Sequence, residues 1–169
     1  ILGVKYVAFY SAPADLVSRG LLIPGAIARS IFPKLAVAKN EHDKEKLRHL
    51  AYKILIIICG TGAIAGVLLA DIVMTTWMGD AFSGEPVLVL RILLIGFFFN
   101  SLAQIPFSDI QAAGKSKITA VIHLIEILPY LTLLYFLIDR FGVTGAAIAW
   151  TSRVTIDFIV LIYMSKKVR

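Results

Sequence analysis

Apolar residues along this chain gather into five runs, separated by short polar stretches. The runs cover about Ser11–Val37, Lys53–Met74, Pro86–Phe107, Ile118–Ile138 and Val143–Met164. Each approaches or exceeds the ~20 residues that a helix needs to cross bilayer hydrocarbon. The pattern predicts an all-α protein, a polytopic transmembrane helix bundle in which residues 1–169 form one domain. Arg19, Pro24, Arg29 and Pro33 interrupt the first run. Pro24 and Pro129 fall inside runs, where neighbouring helices can satisfy the carbonyls that a proline frees. In CGTGAIAG, Gly62 and Gly66 are expected to make a small-xxx-small face for close helix packing. FGVTG, with Gly142 and Gly145, reads as a tight turn into the last helix.

Composition reinforces the choice of lipid as solvent. The chain is 59% hydrophobic with mean hydropathy +0.84, well above the about 45–50% apolar content of soluble domains. A formal net charge of +6 raises the question of nucleic acid, but the basic residues sit between apolar runs, and no basic face carries interleaved aromatics. Nucleic acid is therefore not an expected partner. Lys34, Lys39, Lys44, Lys46, Arg48 and Lys53 lie from the end of the first run to the start of the second, Lys115 and Lys117 follow the third, and Lys166, Lys167 and Arg169 follow the last. The opposite connections hold Asp80, Glu85 and Asp139 against Arg140. The positive-inside rule puts the basic segments, and with them the C-terminus, in the cytoplasm. Cys59 excludes an internal disulfide and reads as a small buried hydrophobe. The chain starts at Ile1 without a basic n-region or cleavage site, so no signal peptide is set aside, and a piece of a longer protein is expected.

The chemistry lies in charges placed at lipid depth. An arginine at mid-span costs about 2.5–3.5 kcal/mol, so Arg153 is expected to face protein or water, with Asp157 one turn on as a partial counter-charge. At ~1.5 Å per residue, Glu126, Arg153, Arg29 and Asn100 come out within ~10–16 Å of the cytoplasmic edge, with Gln104 nearer that edge. A polar layer shared by four helices predicts a wetted cavity. Arg91 and Arg19 lie ~7–12 Å below the outer edge, where snorkelling and a local pair with Asp15 are the plain alternatives. Taken together, Arg19, Arg29, Arg91 and Arg153 are the candidate contacts for an anionic phosphate or pyrophosphate head group. His123 and Glu126, on one helical stripe with Tyr130, could carry a proton, or could simply make an interhelical contact. No P-loop, HExxH, CxxC or nucleophile elbow occurs, and Asp15, Asp109 and Asp157 form no carboxylate metal cluster. Neither an enzyme nor a cofactor is expected.

Three segments carry a resemblance: LLIPGAIARSIFPKL, LRILLIGFFFNSLAQIPFSDIQAAGKSKITAVIHLIE and FGVTGAAIAW. They resemble the O-antigen and oligosaccharide flippases of the multidrug/oligosaccharidyl-lipid/polysaccharide exporter superfamily. The resemblance implies a lobe of six helices, of which this chain would supply the last five, paired with an N-terminal lobe that is missing here. It also implies a multi-pass protein of the bacterial inner membrane. Its cargo would be a polyprenyl-pyrophosphate-linked oligosaccharide, moved between leaflets by alternating access. A cation-coupled drug exporter of the same superfamily and a non-transporting membrane scaffold are the rival expectations.

Overall fold

The computed structural model describes residues 4–168; Arg169, counted in the basic tail, lies outside them. Every long element is helical, and no strand occurs among the described residues. Helix α1 (Val4–Gly20) runs into α2 (Leu22–Val37) through a bend at Leu21. Pro24 accounts for the bend, because it lacks the N–H that would reach Gly20 and its ring crowds that carbonyl. Helical bonding persists around it, with the Leu21 N–H donating to the Val17 carbonyl at 3.1 Å.

Helix α3 (Glu41–Leu55) starts well ahead of Lys53, inside what the sequence pattern left as a polar connection. The local chemistry explains the early start. The Asn40 side chain accepts from the Asp43 N–H at 2.9 Å, and Glu41 and Asp43 sit in the first turn, where the helix dipole favours acids. A π-helical turn (Ile56–Gly60) joins α3 to α4 (Thr61–Met78). The buried stripe runs through Ala51, Leu55, Cys59, Ala63, Ala70 and Met74. Gly62 falls beside this stripe, and a Cβ there would meet nothing within 4 Å. The expected Gly62–Gly66 packing face is thus corrected: Gly60 lies against Phe98 and Gly66 against Leu94, which brings α4 close to α5.

Helix α5 (Glu85–Ala112) is the spine of the bundle, buried along most of its length and packed against α1, α2, α4 and α6. Helix α6 spans Ser116–Val168, 53 residues, and contains both runs expected at 118–138 and 143–164. Were it straight, residues 123 and 157 would lie ~50 Å apart. Instead the His123 Nδ1 and the Asp157 Oδ1 are 3.6 Å apart, so the limbs 116–141 and 143–168 fold back antiparallel. The reversal occurs at Gly142, whose φ of 56° and ψ of −134° suit a residue without Cβ. Gly145 then sits so close to the Leu137 carbonyl that a Cβ has no room, as a tight turn requires.

Four helical stretches, Tyr6–Val37, Glu41–Met78, Glu85–Ala112 and Ser116–Val168, are long and apolar enough to cross a membrane. The difference from five runs is confined to the doubled-back α6. Outward-facing Leu124, Ile125, Leu128, Leu131, Tyr135 and Phe136 on its first limb form an apolar surface that water would penalise and lipid would not.

Candidate polar sites within the bundle

The α6 hairpin brings four of the sequence-selected side chains together. His123 and Glu126 come from the first limb, Arg153 and Asp157 from the second. Arg153 Nε lies 3.5 Å from Glu126 Oε2, and the guanidinium sits 5.3 Å from the centre of the Tyr130 ring. His123 Nδ1 lies 3.7 Å from Glu126 Oε2 and 3.6 Å from Asp157 Oδ1. The closest ion-pair contacts of Arg153 and Asp157 run across the limbs, and no ion pair within 4 Å joins the two along their own helix. Residues at i and i+4 share a face, but the opposing limb presents Glu126 to Arg153 more directly.

These contacts are charge contacts at the limit of hydrogen-bond reach. His123 Nδ1, both Glu126 carboxylate oxygens and Asp157 Oδ1 are buried with no hydrogen-bond partner. Buried carboxylate oxygens without a donor are costly, so the arrangement is poised to take up a proton, a cation or water. Two carboxylates thus share one guanidinium and one imidazole across the limbs. One ligand atom each from His123, Glu126 and Asp157 lies within 4.8 Å of the others, so the trio could also hold a cation. Glu126, Tyr130 and Arg153 open onto an otherwise apolar cavity of about 310 Å³ between the limbs, flanked by Ile122, Pro129 and Leu133.

A second cleft, about 410 Å³, lies between α2 and α5, and Arg29, Gln104, Ser108 and Gln111 supply its polar lining. Arg29 has no carboxylate partner among the described residues, unlike Arg153. Its guanidinium, two amides and a hydroxyl make a surface able to bind an oxyanion and sugar hydroxyls. Phe107 lines this cleft and also stacks toward His123, with ring centres 6.1 Å apart, so one aromatic side chain stands between the cleft and the α6 cluster.

The remaining sequence-selected residues stand apart from these sites. Asn100 is half-buried on α5 and lines neither cavity. Arg19 is exposed at the end of α1. Arg91 turns toward α4, where its Nε donates to the Val67 carbonyl at 3.2 Å.

The pattern reading passed over the most buried ion pair. Arg48 on α3 donates through Nε to Asp109 Oδ1 of α5 at 2.9 Å, with Nη2 also at 2.9 Å. Both side chains are nearly closed off, at 6% and 7% exposure. Glu41 Oε2 approaches the same guanidinium at 3.3 Å. Glu41 itself is exposed, and its carboxyl is held below the usual range first by the hydrogen bond from Lys44 and then by Arg48. The overlooked signal was the phase of the α3 stripe: Arg48 leads into Ala51 and Leu55 on the buried side.

Comparison with known proteins bears out the family resemblance. The chain is 45% identical over 161 residues to a protein of Shigella flexneri named as an O-antigen transporter. The match covers 95% of this chain and 38% of that relative, so the chain spans well under half the relative's length. No family model matches, and no solved structure matches. At this identity the two share a fold and an origin. The chain is thus a multi-pass, helical membrane protein related to an O-antigen transporter.

Proposed function

Taking that kinship as premise, we propose that the chain forms the C-terminal lobe of a flippase in the bacterial inner membrane. It crosses the bilayer five times, the two limbs of α6 counting separately, with its C-terminus in the cytoplasm. Together with an N-terminal lobe it moves a polyprenyl-pyrophosphate-linked oligosaccharide between leaflets by alternating access. The observation that carries this reading is Arg29, an exposed guanidinium inside a long apolar helical stretch with no carboxylate partner among the described residues, set among Gln104, Ser108 and Gln111 in an open cleft. An arginine kept at such cost is retained for a charge that arrives from outside the fold. A pyrophosphate supplies that charge, and the amides suit the sugar hydroxyls beside it.

The α6 cluster takes the coupling role. A proton or cation entering among His123, Glu126 and Asp157 adds positive charge there and releases Arg153 from Glu126. Phe107 provides the contact through which that change reaches the Arg29 cleft. The local excess of acid also suits a cation-coupled drug exporter, which would differ in cargo rather than in this mechanism.

The test is Arg29→Ala in the full-length protein, in cells that depend on it for surface polysaccharide. At unchanged membrane levels, surface polysaccharide falls by at least tenfold, since one charge-assisted contact to phosphate is worth about 1.5–3 kcal/mol. Arg29→Lys retains part of it. Normal surface polysaccharide in Arg29→Ala overturns the assignment of this cleft.

A further inference from the structure

The face of α5 opposite the polar sites carries a second, apolar groove, about 410 Å³, between α4 and α5. Gly60, Ala63 and Val67 form one wall, and Leu94, Ile95 and Phe98 form the other. Small residues on the π-helical turn and α4 make the groove: they remove side-chain volume where a second helix would otherwise be met, and Gly60 and Gly66 lie directly against Phe98 and Leu94.

One end of this groove is charged. Arg91 stands one turn before Leu94, and its Nε bond to the Val67 carbonyl fixes it at the groove's mouth while the guanidinium stays exposed. Asp71 lies one turn beyond Val67 on the same stripe of α4, at i+4 from Val67 and i+11 from Gly60, and is also exposed. Counting from the connection at 79–84, Asp71 and Arg91 are both ~9–10 Å into their helices, so a cation and an anion share one level. No ion pair within 4 Å joins them among the described residues.

We propose that this groove seats a bilayer phospholipid whose headgroup carries both a phosphate and a primary ammonium, as phosphatidylethanolamine does. One hydrocarbon chain lies along the ~10 Å of groove between Gly60 and Val67. The phosphate meets the outward amines of Arg91, and the ammonium donates to Asp71. Apolar walls alone would accept any acyl chain. The two opposite charges at one level select the headgroup, because a phosphatidylglycerol leaves Asp71 facing a hydroxyl, and a choline has no N–H to donate. Arg91 thereby serves as a lipid anchor on the outer flank of the bundle.

The experiment is native mass spectrometry of the full-length protein in detergent, with equal amounts of phosphatidylethanolamine, phosphatidylglycerol and phosphatidylcholine of one acyl composition. Retention of the ethanolamine lipid above the other two is expected. Arg91→Ala lowers that retention about tenfold, while Arg91→Lys keeps most of it. Asp71→Asn abolishes the preference over phosphatidylglycerol. Ile64→Trp, an exposed position on the groove's rim, displaces all three lipids without touching either charge. Unselective retention, loss of selectivity only in variants that no longer elute as the native species, or a wild type carrying no lipid overturns the proposal; the last would mean that protein covers the groove.

Discussion

Replacing Arg48 by alanine removes the guanidinium from the most enclosed ion pair and leaves the Asp109 carboxylate, 7% exposed, without its two contacts at 2.9 Å. Breaking one side of a buried pair costs about 3–5 kcal/mol, because the survivor keeps its desolvation penalty and loses its closest counter-charge. Asp109 sits close to the end of α5, so the lower end of that range, about 3 kcal/mol, is the expected loss. The Glu41 contact adds little, since that side chain is 57% exposed and its attraction is screened. The assay is reversible unfolding of the full-length protein in mixed micelles, read by tryptophan fluorescence. Arg48→Met combined with Asp109→Leu removes both charges and recovers most of the loss, whereas Glu41→Gln alone moves stability by less than about 0.5 kcal/mol. An Arg48→Ala protein within about 0.5 kcal/mol of the parent would refute the reasoning, because it would show the pair to be wetted and the α3–α5 staple energetically idle.

Two other perturbations test the α6 hairpin. Gly145→Ala forces a methyl group against the Leu137 backbone carbonyl, which cannot swing away as a side chain would, so the reversal must open. A loss of about 1–3 kcal/mol in the same unfolding assay is expected, and unchanged stability would contradict the tight turn. Glu126→Gln removes the one carboxylate that faces both Arg153 and His123 within 4 Å among the described residues, and alters the pH profile of polysaccharide export. A profile superimposable on the parent's would make the cluster a structural contact.

What the sequence makes legible follows from how local each signal is. Long apolar runs set the helices because burial in lipid leaves the backbone no other way to satisfy its hydrogen bonds. The reversal at Gly142 is equally local, since a residue with φ of 56° announces itself as glycine. Partnerships between helices are a different matter. Arg48 and Asp109 are 61 positions apart, and no spacing rule connects them. The Arg153–Asp157 expectation was incomplete for a related reason: helical spacing shows which residues share a face, but not which charge the opposing limb presents. Depth counting did better, placing Glu126 with Arg153, because rise per residue is a property of the helix alone. It could not separate Arg91 from the polar layer's face of α5, since depth carries no information about azimuth.

The central claim is that the cleft holding Arg29 and Gln104 is reached by water within the membrane. It is tested most directly by placing a cysteine at Gln104 in a full-length protein whose buried Cys59 has been changed to alanine. The account predicts that a membrane-impermeant thiol reagent labels position 104 in sealed membranes while a cysteine at Leu128, on the outward apolar surface of α6, stays unlabelled. A position 104 as inert as position 128, in protein that still exports polysaccharide, would contradict it.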